Sequence, residues 1–283
     1  MNLLQKITTT DKGINLTNIF LMLLSTVIAF IIPFKLFLFV YAVLGPLHYL
    51  TEISWLDKRN FFIRQKTQIW PYIVIAVLLT IALFNEKSSI RYYSVSLIIC
   101  VVVYTLCLVF SGKNTVSLLV SALVLILALA IKADKIMILI LSFGVFLPTI
   151  VHVFLFTGLF VLQGALKNKS VTAFISLAVF IACAASFAFI HIPSPEILSG
   201  TEKGYIQKYF SVINHALADL FNIGYRGNTN DIFEIPALIA VQRFIAFAYT
   251  YHYLNWFSKT SVIKWHDVSS SRLGVITILW IVS

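Results

Sequence analysis

His48 and Glu52 stand four residues apart within a hydrophobic run, Gly45-Pro-Leu-His-Tyr-Leu-Thr-Glu-Ile-Ser-Trp-Leu56. In a helix that spacing puts an imidazole and a carboxylate on one face, one turn apart. Ionisable groups in so apolar a setting are costly, which marks the pair for function. Three more histidines sit in or beside apolar runs: His152 in Leu147-Pro-Thr-Ile-Val-His-Val-Phe154, His252 in the aromatic stretch Ala248–Phe257, and His266 in Lys264-Trp-His-Asp267. Imidazoles with a carboxylate suit iron, zinc or manganese, and an open site of that kind suits oxygen activation or metal-assisted hydrolysis. His48, Glu52, His152, His252 and His266 are therefore the expected metal ligands, with iron the first choice. Glu52 doubles as candidate general base. Asn255, three residues past His252, is expected to sit on the same helix face and hold its imidazole from behind.

Other chemistries find no support. There is no compact histidine box, Gly-rich phosphate loop, G-x-S-x-G elbow or H-E-x-x-H helix. Cys100, Cys107 and Cys183 lie in apolar runs without C-x-x-C spacing, as small hydrophobes do. His191 and His215 fall in a long polar connection, where a lone imidazole is usually a surface residue.

The elements that must position these residues follow from composition. The chain is 60% hydrophobic and 11% charged, against about 25% charged for a soluble domain. That describes an all-α, polytopic integral membrane helical bundle, a single domain over residues 1–283 with membrane lipids as partners. A span needs about 20 apolar residues. The expected spans cover 16–32, 36–56, 69–84, 92–110, 116–131, 136–162, 171–190, 236–257 and 273–283, eight or nine transmembrane helices in all. The net charge of +10 is scattered among short connections, a topology and lipid-headgroup pattern rather than a nucleic-acid surface. Twelve Lys and Arg fall on the side of the N-terminus and five in the short connections opposite, which predicts a cytoplasmic N-terminus, in a bacterial inner membrane.

With that topology the second, sixth and eighth spans run inward. At about 1.5 Å per residue, His48 and His152 fall a few ångströms inward of their midpoints, and Glu52 and His252 roughly 8–9 Å inward. His266 follows on the same side, so the five candidates converge on the cytoplasmic half. Pro148, four residues before His152, is expected to kink its helix and open space there. Arg243, on the eighth span, must pair or face a cavity. Residues 191–235 form an outer loop in which Tyr205, Phe210, Ile213, Leu217 and Leu220 recur at helical spacing, predicting an amphipathic interfacial helix.

The order of these motifs resembles the Brp/Blh-type membrane oxygenases, which cleave β-carotene to retinal. The likeness lies in an early His with an acidic residue (His48, Glu52), a His on a middle span (His152), and a late aromatic helix carrying a His with another beyond it (Phe247, Tyr249, His252, His266). The chain departs from that pattern in having Leu47-His48-Tyr49 with Glu52 where the family has Pro-His-Gly with Asp. The resemblance implies an iron-dependent oxygenase fold. The expected function is a multi-pass membrane metalloenzyme oxidising a lipid-soluble small molecule, carotenoid-like or acyl-like. The competing expectations are a transporter or channel using the same residues as an ion or proton relay, and a non-catalytic assembly subunit.

Overall fold

The computed structural model describes residues 10–60, 63, 65–84, 88–130, 151–220, 232–259 and 264–283. The described residues are helical, with no strand among them. In chain order the α-helices are α1 (Asp11–Ile31), α2 (Pro33–Phe39), α3 (Gly45–Lys58), α4 (Trp70–Phe84), α5 (Ser88–Ser111), α6 (Asn114–Ala130), α7 (Thr157–Asn168), α8 (Val171–Phe189), α9 (Gly200–Tyr209), α10 (Ser211–Leu220), α11 (Pro236–Ser258) and α12 (Ser270–Val282). Two π-helical turns, Val40–Leu44 and Val151–Phe156, join α2 to α3 and precede α7. The first half of the expected sixth span, with Pro148, and the loop signal over 224–230 lie outside the described residues.

Three helical stretches are long and apolar enough to cross a membrane: Asp11–Ile31, the continuous Pro33–Lys58, and Val171–Phe189. Four others, Lys66–Ala82, Ser96–Ser111, Asn114–Leu129 and Ser270–Val282, are apolar but shorter. The chain divides into two compact units, residues 1–52 with 149–283, and residues 53–148. In the second, α5 packs against α4 and α6 around Ile75, Leu97 and Cys100. Tyr104 ties it together by donating to Asn114 Oδ1 (2.7 Å). All three cysteines are free.

The first unit is built around α11. It packs against α1, α2, α8, α10 and both π-turns, and thirteen of its side chains are buried, Gln242, Arg243 and Asn255 among them. Its polar residues keep it out of the set of apolar spans. Enclosure by other helices makes that polarity tolerable, because each polar group can meet protein instead of hydrocarbon.

The corner between α1 and α2 shows how. Ile32 leaves helical geometry and Pro33 restarts the helix at once. Such a break strands carbonyls behind it and amides ahead of it. Glu196, from the loop after α8, accepts from the Phe34 and Lys35 amides (2.9 and 2.7 Å). Arg243 Nη2 donates to Phe30 O (3.2 Å) and Ile192 O (2.8 Å), the Ser194 hydroxyl to Ile31 O (3.3 Å), and Gln242 Nε2 to Pro33 O (3.4 Å). A carboxylate thus sits at a helix N-terminus and a guanidinium at a helix C-terminus, each where the helix dipole favours it. Arg243 pairs as its type requires, with carbonyls as its partners.

The expected amphipathic helix is two helices, α9 and α10, broken at Phe210, whose backbone (φ −121°, ψ −12°) interrupts the helix. Ile206, Phe210, Ile213 and Leu217 are buried. Phe210 packs at 5.0 Å from both Phe37 and Tyr41, so this face closes over α2 and the first π-turn. Tyr205 stays exposed.

A candidate metal centre on three helical segments

His48 occupies the first turns of α3, directly after the π-turn Val40–Leu44. The reason for that turn is Pro46, which has no N–H to give to the carbonyl four residues back and would clash with it. The chain widens its ladder by one residue, and Gly45 N bonds Val40 O, five residues back. Helix and proline are reconciled, and the face that carries His48 is rotated toward α11. His152 lies inside the second π-turn. Such turns are rare and favour functional positions. Both π-turns among the described residues adjoin candidate ligands.

His48 is 1% exposed and ringed by aromatics, with Tyr253, Trp256 and Tyr49 centroids at 4.8, 5.1 and 5.5 Å. Its Nε2 lies 3.3 Å from Glu52 Oε2 and 3.3 Å from His252 Nε2. The His152 ring stands 5.4 Å from that of His252, centroid to centroid. Thus α3, α11 and the second π-turn bring His48, Glu52, His252 and His152 near one another.

His252 is oriented by Thr157, the first residue of α7. The Thr157 hydroxyl donates to Val153 O (2.7 Å), so toward His252 Nδ1, at 3.2 Å, it offers a lone pair. Nδ1 therefore carries the proton, and the bare Nε2 faces His48. His48 Nδ1 is buried without a partner. Trp256 Nε1 donates to Thr51 Oγ1 (3.1 Å), bracing the aromatic wall against α3.

Asn255 does not hold the His252 ring. The atom at Nδ1 is Thr157 Oγ1, and Asn255 is buried with its Oδ1 unpartnered. Three residues past His252 is the same face only approximately. His266 stands apart from the cluster among the described residues. It is exposed, in the turn after α11, with its ring 5.7 Å from Trp265. Thr157 escapes sequence reading because threonine in an apolar run commonly satisfies itself on its own helix. The legible signal was Pro46 inside an otherwise continuous helix.

The donor set fits a divalent first-row metal. Two ligand atoms held tetrahedrally at about 2.0–2.1 Å from one ion stand about 3.3 Å apart, whereas a charge-assisted hydrogen bond is shorter, at about 2.7–2.9 Å. The His48–His252 and His48–Glu52 separations, 3.3 Å each, are compatible with the first spacing and also with a long hydrogen bond and an ion pair. The set is not closed. Among the described residues no group of three or more His, Cys, Asp and Glu side chains is assembled that could hold a metal ion as it stands. His152 is exposed at the edge of the cluster, its ring beside that of His252.

No protein-family model matches the chain, and neither the curated proteins nor the solved structures give a significant match.

Proposed function

We propose that the chain is a multi-pass membrane metalloenzyme, with a centre formed by His48, Glu52, His152 and His252 that acts on a lipid-soluble small molecule. The observation that carries this reading is the pair of 3.3 Å separations meeting at His48 Nε2 from two different helices. The resemblance to Brp/Blh-type oxygenases favours iron and an oxygenase reaction, and a bound ferrous ion would supply dioxygen activation. The protein's own residues do the rest. His48 and His252 present ring nitrogens, Thr157 keeps the His252 proton on Nδ1, and Glu52 is a ligand or takes a proton from substrate. The aromatic wall excludes water, which strengthens every charge interaction inside it.

The exposed side of the cluster supports a lipid-soluble substrate. Around His152 the neighbouring Leu155 and Phe156 are exposed, so the approach is apolar. The reading carries with it the eight- or nine-span topology, the cytoplasmic N-terminus and a bacterial inner-membrane location. The test is elemental analysis of the purified, folded protein. About one iron per chain is expected, or zinc or manganese in its place, and loss of that metal in His252→Ala with the thermal transition retained. Folded wild-type protein without stoichiometric metal would overturn the reading.

A further inference from the structure

A cavity of about 260 Å³ opens at the end of the first unit where α1 begins and α7 and α11 end. Its walls are mostly apolar, with Phe160 and Val161, and carry polar groups from Asp11, Asn15 and Asn18 on α1, Asn168 on α7 and Lys259 just past α11. Lys259 has no hydrogen-bond or ion-pair partner for its ammonium among the described residues. Burial pushes its pKa below the ordinary lysine value. Asn18 is 4% exposed, with its Oδ1 unpartnered. Nothing among the described residues fixes its amide, so the NH₂ group can turn toward a ligand. The one carboxylate, Asp11, is occupied by Asn168 Nδ2 at 3.1 Å and lies in the first turn of α1, where helix amides offset its charge. A half-buried ammonium without a partner, at the mouth of an open cleft, calls for an anion.

The cavity is also continuous in sequence with the metal centre. Lys259 follows His252 by seven residues, two helical turns or roughly 10 Å, and lies within electrostatic reach of its ring. Val161 stands one turn beyond Thr157. Phe160 continues, at four-residue steps, the line of His152 and Phe156, and is exposed to an apolar surround with Leu159.

We infer that the molecule acted on at the histidine centre is an acyl amphiphile with an anionic head, a carboxylate or a phosphate, held by Lys259 and Asn18 while its chain runs along Phe160 and Phe156 to the imidazoles. This rests on the metal-centre reading and narrows its substrate from any lipid-soluble molecule to one with a charged end. The chain carbon nearest the centre is then about 10 Å from the head, a mid-chain position.

The experiment compares binding of oleate, oleoyl lysophosphatidate and oleyl alcohol to the purified protein in neutral-lipid nanodiscs, with metal content measured on the same samples. At least one anion is expected to bind about tenfold more tightly than the alcohol, the value of one charge-assisted contact, and the stronger of the two identifies the head. Lys259→Met should erase that margin and Lys259→Arg keep it, both with wild-type metal content. Equal binding of alcohol and both anions, or an unchanged margin in Lys259→Met, would overturn the inference while leaving the metal centre standing. An anion margin in protein that holds no metal would remove the cavity's role as a substrate site and sink the centre instead.

Discussion

Helix α11 carries two polar regions nine residues apart, and they are built from different partners. At the α1–α2 corner, the groups freed by the Ile32–Pro33 break are met: Glu196 takes two amides, Arg243 and Ser194 take two stranded carbonyls, and Gln242 reaches Pro33 O. At the histidine cluster, His48 Nδ1 is buried without a partner, Glu52 Oε2 and His252 Nε2 each stand 3.3 Å from His48 Nε2, and His152 is exposed. The first arrangement is what stability asks of polar groups in an apolar interior. The second sets ionisable side chains against one another in place of backbone groups. Among the described residues each region keeps one buried nitrogen without a partner, Arg243 Nε and His48 Nδ1, so the two divide by what meets there: side chains on freed backbone groups at the corner, ionisable side chains on one another at the cluster.

The comparison is open to direct attack. Its largest expected effect is Arg243→Met, which keeps the stem volume and strands Phe30 O and Ile192 O. At about 1–3 kcal/mol per unsatisfied buried group, the protein should lose about 3 kcal/mol, read as a lowered thermal or denaturant midpoint in detergent. A change under about 0.5 kcal/mol would mean the corner is not held by this side chain.

Thr157→Val should act on the other region. Removing the acceptor at His252 Nδ1 frees the ring to flip its tautomer, and metal affinity should fall about 10–100-fold, with Thr157→Ser restoring it. Competition with a chelator reads this directly. An equal loss of folding stability and no loss of affinity would make Thr157 a packing residue, and the contrast between the regions would fail.

The smallest effect belongs to Glu196→Gln, which keeps the shape but removes the charge from the N-terminus of α2. A cost of about 1 kcal/mol is expected, with metal content unchanged. A larger fall in metal content than in stability would show that the two regions are coupled through α11.

Much of the helix map was legible because its signals are local. Apolar runs, the Pro33 break and the Ile192-Pro-Ser-Pro195 loop each mark their element without help from the rest of the chain. His48, Glu52, His152 and His252 were legible for the same reason, as ionisable groups where they are costly. Asn255 and His266 went astray because their placement depends on what comes from outside their own helix. Asn255 was assigned to the ring that Thr157 takes from α7, and His266 sits in a turn whose path α11 does not dictate. The break of the outer helix at Phe210 was equally hidden, since its apolar spacing runs through both halves.

The amino-acid sequence by itself determined that this chain is helical and apolar and that four ionisable side chains sit in the wrong solvent for idle residues. Which of them meet was decided by the tertiary structure. Each π-turn adds one residue to a helix and rotates every later side chain by about 100°, enough to move a residue from one face to another. A reading at constant period cannot see that rotation. Pro46 imposes the first of these turns locally, but only the packing of both turns against α11 sets His48 and His252 face to face.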